Sequence, residues 1–325
     1  MDCHTTMIRR VAVAFIVVLT LSGCFSGREK MSTDEGFITT TDQVRLFYRK
    51  VGHGSRIVMV PNGLYYFDSF KRFADACTLI FYDVRNRGSS DTVIDKSRLS
   101  GGIQQDVEDL EAVRKHFEKE QVDLMGHSYI GLMIGLYAKK YPQHVNRMVQ
   151  ISPAQPDTGI QYPSHLAYVD AVITEVMGKL AKMQTETRPE DPVERCKQFW
   201  SVLAPINVYN PVYAKNIDWG RCHLPNERNF MQYWSEHIFP SIQTIHLTSK
   251  DLSGMKSPVL ILHGDKDRSA PYGGSRDWAM IWPNARLLTL PNVAHAPWIE
   301  APEIVFEAIR LFLDGTWPQE AQKVS

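Results

Sequence analysis

The chain has 325 residues, 44% apolar and 22% charged, the proportions of a globular protein that can bury a core, so disorder and collagen-like structure are excluded. Thirty-six basic residues balance thirty-six acidic ones, and a formal charge of zero leaves no electrostatic footprint for a polyanion, so no nucleic-acid partner is expected. The five cysteines form no CxxC pair and no His/Cys cluster at zinc spacing, which argues against a structural metal and a disulfide framework.

In chain order, Arg9 and Arg10 precede an apolar run over residues 11–21. The run is too short to span a ~30 Å hydrocarbon core comfortably and fits the apolar region of an export signal. It closes on Leu21-Ser22-Gly23-Cys24, which resembles the bacterial lipobox. That resemblance implies cleavage before Cys24, lipidation of Cys24, and residence in the bacterial cell envelope as a lipid-anchored membrane protein. Phe25 in place of an aspartate points to the outer membrane where the host has one. The alternatives are an uncleaved anchor or an ordinary signal peptide with a chance cysteine. Residues 24–35 read as a tether after a 1–23 signal peptide, with the body starting near Gly36. Of the cysteines left after processing, Cys196 and Cys222 are the more plausible pair in an oxidising compartment.

From there, short β-rich runs alternate with helical stretches, which predicts an α/β fold with a mostly parallel central sheet and helices on both faces. Residues 37–51 read as a strand pair, 56–60 and 78–83 as buried strands, and 67–77 as a helix between those two. Ile103, Val107, Leu110, Val113 and Phe117 recur at spacings of three and four, one apolar face of a helix over 101–119. Strand 122–125, helix 129–141 and strand 146–151 follow. The rhythm then breaks: residues 154–250 are rich in proline, show no clear strand, and read as an inserted, mainly helical cap. It resumes with strand 258–263, helix 274–282, strand 285–290 and a closing helix over 302–313, so the predicted core is 36–153 with 251–315.

VDLMGHSYIG places Ser128 between an apolar strand and a helix, the context of a nucleophile elbow, in which a sharp turn lifts the serine hydroxyl above the sheet. The G-x-S-x-G pattern is met at Gly126 and Ser128, but Ile130 takes the second small position and Gly131 follows. Here the chain resembles the α/β-hydrolase superfamily, in the branch with helical caps that includes proline iminopeptidases, epoxide hydrolases and small-ester hydrolases. VPNGLYYFDSF is similar to the H-G-x loop of that family, with Asn62 for the histidine. FYDVRNRGSSD is similar to D-x-R-G-x-G-x-S, through Asp83, Arg85, Gly88 and Ser90, and is read as structural. HGDKDRSAP supplies the family's acid position, where Asp267 is chosen and Asp265 is its rival. LPNVAHAPWIEAPE resembles G-H-x-x-x-x-E-x-P, with His295 as the base and Ala294 replacing the glycine.

The resemblance implies a triad of Ser128, Asp267 and His295, in the family's chain order, with the Leu64 and Tyr129 backbone N–H groups as the oxyanion hole. It implies a serine hydrolase acting on a small-molecule ester or amide substrate, with carboxylic ester cleavage as the default. The competing expectations are a proline-iminopeptidase-like aminopeptidase and a catalytically inactive hydrolase fold used for binding. Glu227 is a candidate for a substrate amine, with a solvated loop carboxylate as the plainer reading. His127 is expected to pack beneath the elbow, and Trp298 either walls the site or simply packs. No phosphate loop, dinucleotide fingerprint or metal-ligand cluster is present, so no cofactor and no metal are expected.

Overall fold

The computed structural model describes residues 33–158, 168–185, 191–217, 221–224 and 226–324. The expected signal segment, Cys24 and most of the tether lie outside these residues. The tether's last three residues do not behave as linker. β1 (Thr33–Thr39) and β2 (Arg45–Val51) form an antiparallel hairpin whose register starts at Thr33 opposite Val51. Asp34 faces Lys50 and Glu35 faces Arg49, with ion pairs of 3.3 and 3.1 Å, so opposite charges across the ladder extend the strand.

The remaining strands are β3 (Ile57–Pro61), β4 (Thr78–Tyr82), β5 (Val122–His127), β6 (Val145–Ile151), β7 (Val259–Gly264) and β8 (Ala285–Leu290). Together they form an eight-stranded sheet in the order β1-β2-β4-β3-β5-β6-β7-β8, parallel from β4 onward. Every residue of β5 and β7 is buried, as a parallel sheet covered on both faces requires. Successive residues point to opposite faces. Met59, Ile80, Leu124, Met148 and Ile261 pack in one cluster with α2 (Ile103–His116), α3 (Tyr129–Lys140) and α8 (Tyr272–Ile281). Val58, Leu79, Met125, Val149 and Leu260 pack in the other with α1 (Gly63–Phe70) and α10 (Pro302–Leu313). The expected face of α2 is the buried one, through Ile103, Val107, Leu110 and Val113.

One predicted helix is displaced. α1 begins at Gly63 rather than near Phe67, because Asn62 adopts a left-handed conformation (φ 64°, ψ 47°) that turns the chain directly from β3 into the helix. Asparagine is among the few residues that tolerate this region.

Between β6 and β7 the described chain is helical: α4 (Ala171–Thr185), α5 (Pro192–Leu203), α6 (Glu227–Tyr233) and α7 (Phe239–Ile242). A disulfide joins Cys196 of α5 to Cys222, with the Cα atoms 5.6 Å apart. Cys77 is buried and reduced. α9 (Pro297–Glu300) precedes α10, and beyond the predicted end of the core, Gln322 forms an antiparallel bridge to Leu287 of β8.

Candidate active site

The residues singled out by sequence follow the C-terminal ends of successive parallel strands: Asn62 after β3, Asp83 after β4, Ser128 after β5, Asp267 after β7 and His295 after β8. In open α/β sheets this edge is where ligands bind.

Ser128 sits between β5 and α3 with φ 57° and ψ −128°, a strained conformation that a non-glycine residue holds only when its surroundings enforce it. The departure from the usual motif at Ile130 has a steric explanation. A Cβ on Gly126 would lie 2.8 Å from the Ile130 carbonyl and 2.9 Å from its Cγ2, and one on Gly131 would lie 2.8 Å from Pro153 Cβ. Ile130 fits because Gly126 has no side chain, and the turn needs its second glycine at 131, where the loop after β6 crosses.

His295 Nδ1 is 2.8 Å from Asp267 Oδ2. Asp267 Oδ1 accepts from the Ser269 and Ala270 N–H groups at 2.7 and 2.8 Å. Burial alone would raise the Asp267 pKa. The charge of His295 and hydrogen bonds from His263 and His295 outweigh that effect and hold the carboxyl below the usual carboxylate range. The rival carboxylate is occupied elsewhere: Asp265 Oδ1 accepts from the Asn292 N–H at 2.7 Å.

A second histidine was missed by sequence reading. His263 Nε2 lies 3.0 Å from Asp267 Oδ2 and 2.9 Å from the Ala270 carbonyl. Both atoms are acceptors, so Nε2 carries a proton and Asp267 is held from two sides. His263 is the penultimate residue of a buried strand, four residues before the acid, and that placement was its only signal.

Burial and the adjoining His295 depress the His127 pKa well below the imidazole range, so the ring is neutral. A carbonyl can only accept, so Nε2 donates to the His295 carbonyl (2.8 Å) and Nδ1 accepts from the Tyr66 hydroxyl (2.9 Å). Trp298 packs edge-on to His127 at 4.7 Å and does not line the cavity. Glu300 Oε2 accepts from Ala294 N–H at 2.8 Å, and its carboxylate also accepts from Tyr209 and Asn210, tying the histidine loop to the cap.

Ser128 and His295 line one cavity of about 260 Å³, walled largely by aromatic and aliphatic side chains including Tyr129, Phe199, Trp200, Leu203, Phe230 and Trp234. Tyr129 heads α3, so its N–H has no acceptor within the helix. Leu64 does not match expectation. Its N–H donates to Asp83 Oδ1 at 2.8 Å and is therefore committed to the loop after β4. The left-handed turn at Asn62 moves the open N–H one residue back, to Gly63, which donates to no acceptor among the described residues.

Glu227 is 2% exposed, so it is not a solvated loop carboxylate. It accepts from the Tyr65 hydroxyl at 3.1 Å and faces Arg87 at 3.5 Å. Arg87 belongs to the stretch read as structural, yet it lines the cavity. The other charges of that stretch do brace the fold: Arg85 binds Asp109 and Asp42, and Asp83 accepts from Leu64 and Ser89.

The sequence model of the α/β-hydrolase fold matches residues 60–302. The chain belongs to the α/β-hydrolase family. It is 24% identical over 260 residues to the proline iminopeptidase PfmaB of Pestalotiopsis fici, covering 76% of this chain and 85% of that one. It is 22% identical to the human monoacylglycerol lipase ABHD6, covering 70% of this chain and 64% of the lipase. Among solved structures, the 2-hydroxy-6-oxo-6-phenylhexa-2,4-dienoate hydrolase of Rhodococcus sp. strain RHA1 superposes with a TM-score of 0.68 at 15% identity, over 88% of this chain and all of that one. A thermophilic esterase from Thermogutta terrifontis superposes with a TM-score of 0.62 at 18% identity, over 87% and 98% of the two chains. At such identities the superpositions establish the hydrolase fold, while the reaction has to be argued from the site.

Proposed function

We propose that this member of the α/β-hydrolase family is a serine hydrolase that cleaves a carboxylic ester. The observation that carries the reading is the His295–Asp267 bond of 2.8 Å at the cavity that Ser128 enters from its strained turn. Ser128 Oγ attacks the acyl carbon as His295 Nε2 takes its proton. His295 then returns that proton to the leaving alcohol. Asp267 fixes the proton on Nδ1 and stabilises the imidazolium. The N–H groups of Tyr129 and Gly63 stabilise the tetrahedral oxyanion, each contributing about 3 kcal/mol when aligned in a dry site. Water, activated by His295, releases the acid from the acyl-enzyme.

An ester is favoured over an aminoacyl amide because both oxygens of Glu227, the carboxylate offered for a substrate amine, lie within hydrogen-bond reach of the Tyr65 hydroxyl. Fluorophosphonate labelling of the detergent-purified protein beside Ser128→Ala, then a panel of short p-nitrophenyl esters and aminoacyl anilides, tests both steps. The expected result is labelling abolished in the variant and esters turned over faster than anilides. Unlabelled, well-folded protein would leave a hydrolase fold used for binding. Faster anilide turnover would favour the aminopeptidase. Export to the cell envelope and lipidation at Cys24 belong to the same proposal, supported by the lipobox-like residues and by the disulfide within the cap.

A further inference from the structure

The aromatic wall of the cavity contains a buried cation. Arg87, with its side chain 5% exposed, has its guanidinium carbon 3.5 Å from the Phe230 ring centre and 4.2 Å from that of Tyr65. With two rings this close, the group recognises a further partner best through the N–H groups in its plane. Nη2 donates to the Tyr65 hydroxyl at 2.6 Å. Nε stands 3.5 Å from Glu227 Oε1, the outer limit of a hydrogen bond. Nη1 donates to no described residue, although Arg87 lines the cavity.

A guanidinium withdrawn from water is costly unless its donors are matched. Glu227 matches this one poorly, because the Tyr65 hydroxyl stands between them, donating to the carboxylate and accepting from Arg87. The end of the guanidinium that carries Nη1, away from Nε, is therefore a preoriented donor in the same cavity as Ser128.

We infer that Arg87 is the binding site for a carboxylate on the substrate, so that the preferred ester bears a single negative charge on its acyl or alcohol part. The planar donor pair Nη1 and Nη2 suits a carboxylate. Glu227, 3.5 Å from the same cation, opposes added negative charge, so the unmatched donors take a monoanion while a dianion such as a phosphate monoester is rejected. That the ligand is an ester substrate rests on the proposed function, whereas the anion site rests on Arg87 and its surroundings.

The test is a binding measurement that needs no turnover. Full-length Ser128→Ala protein in detergent is titrated calorimetrically with monomethyl succinate, glutarate and adipate, each beside its uncharged amide isostere. At the length that fits, the anion is expected to bind at least about tenfold more tightly than the amide. In Ser128→Ala/Arg87→Met that ratio falls to about one, and in Ser128→Ala/Glu227→Gln it rises. Equal affinity of acid and amide at all three lengths overturns the inference, as does a preference that survives Arg87→Met. If the Arg87→Met protein does not fold, the ratio measured with Arg87 intact and its response to Glu227→Gln decide. Failure of fluorophosphonate labelling would sink the serine-hydrolase reading and leave this one standing. Labelling without an anion preference would do the reverse.

Discussion

The two carboxylates of the acid loop differ by environment and not by chemistry. Asp267 is buried between two histidines, whereas Asp265 caps an outer turn at Asn292. Asp267→Asn is therefore expected to lower kcat for a p-nitrophenyl ester by about 10³ to 10⁴-fold. Asp265→Asn is expected to leave it within about twofold, since surface substitutions of this kind are usually mild. Steady-state kinetics of the two variants side by side checks the assignment. A second acid shows the same dependence on surroundings. Burial, reinforced by neighbouring Asp109, raises the Asp106 pKa to about 8, and its Oδ2 has no hydrogen-bond partner. The folded state thus holds a proton that the unfolded chain loses near 3.8, the ordinary aspartate value. From this group, stability is fully present below that value and is lost as pH rises toward about 8. Asp106→Asn, which keeps an acceptor for Tyr233, should therefore gain about 4 kcal/mol more relative to wild type at pH 9 than at pH 5. Thermal melts at the two pH values read this directly, and equal shifts at both would refute it.

Among the elements, the strands were legible because buried parallel strands announce themselves as apolar runs, and α2 because its apolar face repeats at helical spacing, while the order of the strands in the sheet was not read from sequence. The start of α1 was not legible, since it depends on one residue taking a left-handed conformation, and nothing in PNGLYYF marks Asn62 in place of Gly63 as that residue. The consequence reached the site: the expected open N–H moved from Leu64 to Gly63. The meeting of Asp267 with His295, and of His295 with Ser128 at one cavity, was legible from motif and chain order, whereas the place of Arg87 in the cavity was hidden because it arises from a contact distant in sequence, with Phe230, and His263 was hidden because only its position four residues before the acid marked it. The Cys196–Cys222 pairing was open from sequence and is formed across 26 residues of the cap. In the chain-entropy account, closing a loop of that size stabilises by about 3 kcal/mol. Dithiothreitol, or Cys196→Ser/Cys222→Ser, should lower the melting temperature by several degrees. An unchanged melt would mean that the cap unfolds separately from the core.

For the whole molecule, no described helix is long and apolar enough to cross a membrane, so the proposed membrane association rests on Cys24. Cys24→Ser expressed in a Gram-negative host should move the protein from the membrane pellet to the soluble fraction and abolish incorporation of labelled palmitate. Retention in the pellet would point to an uncleaved anchor. The cap interrupts a pair of adjacent strands: the chain leaves β6 at Ile151 and returns in β7 at Val259, and Ile151 pairs with Leu262. The two ends of the insertion are thus pinned side by side by the sheet itself, whatever lies between them. Lengthening such a loop costs only slowly, about 0.6 kcal/mol per doubling. Insertion, deletion or replacement within this segment can therefore rewrite the roof of the cavity while Ser128 and His295 keep their places after β5 and β8.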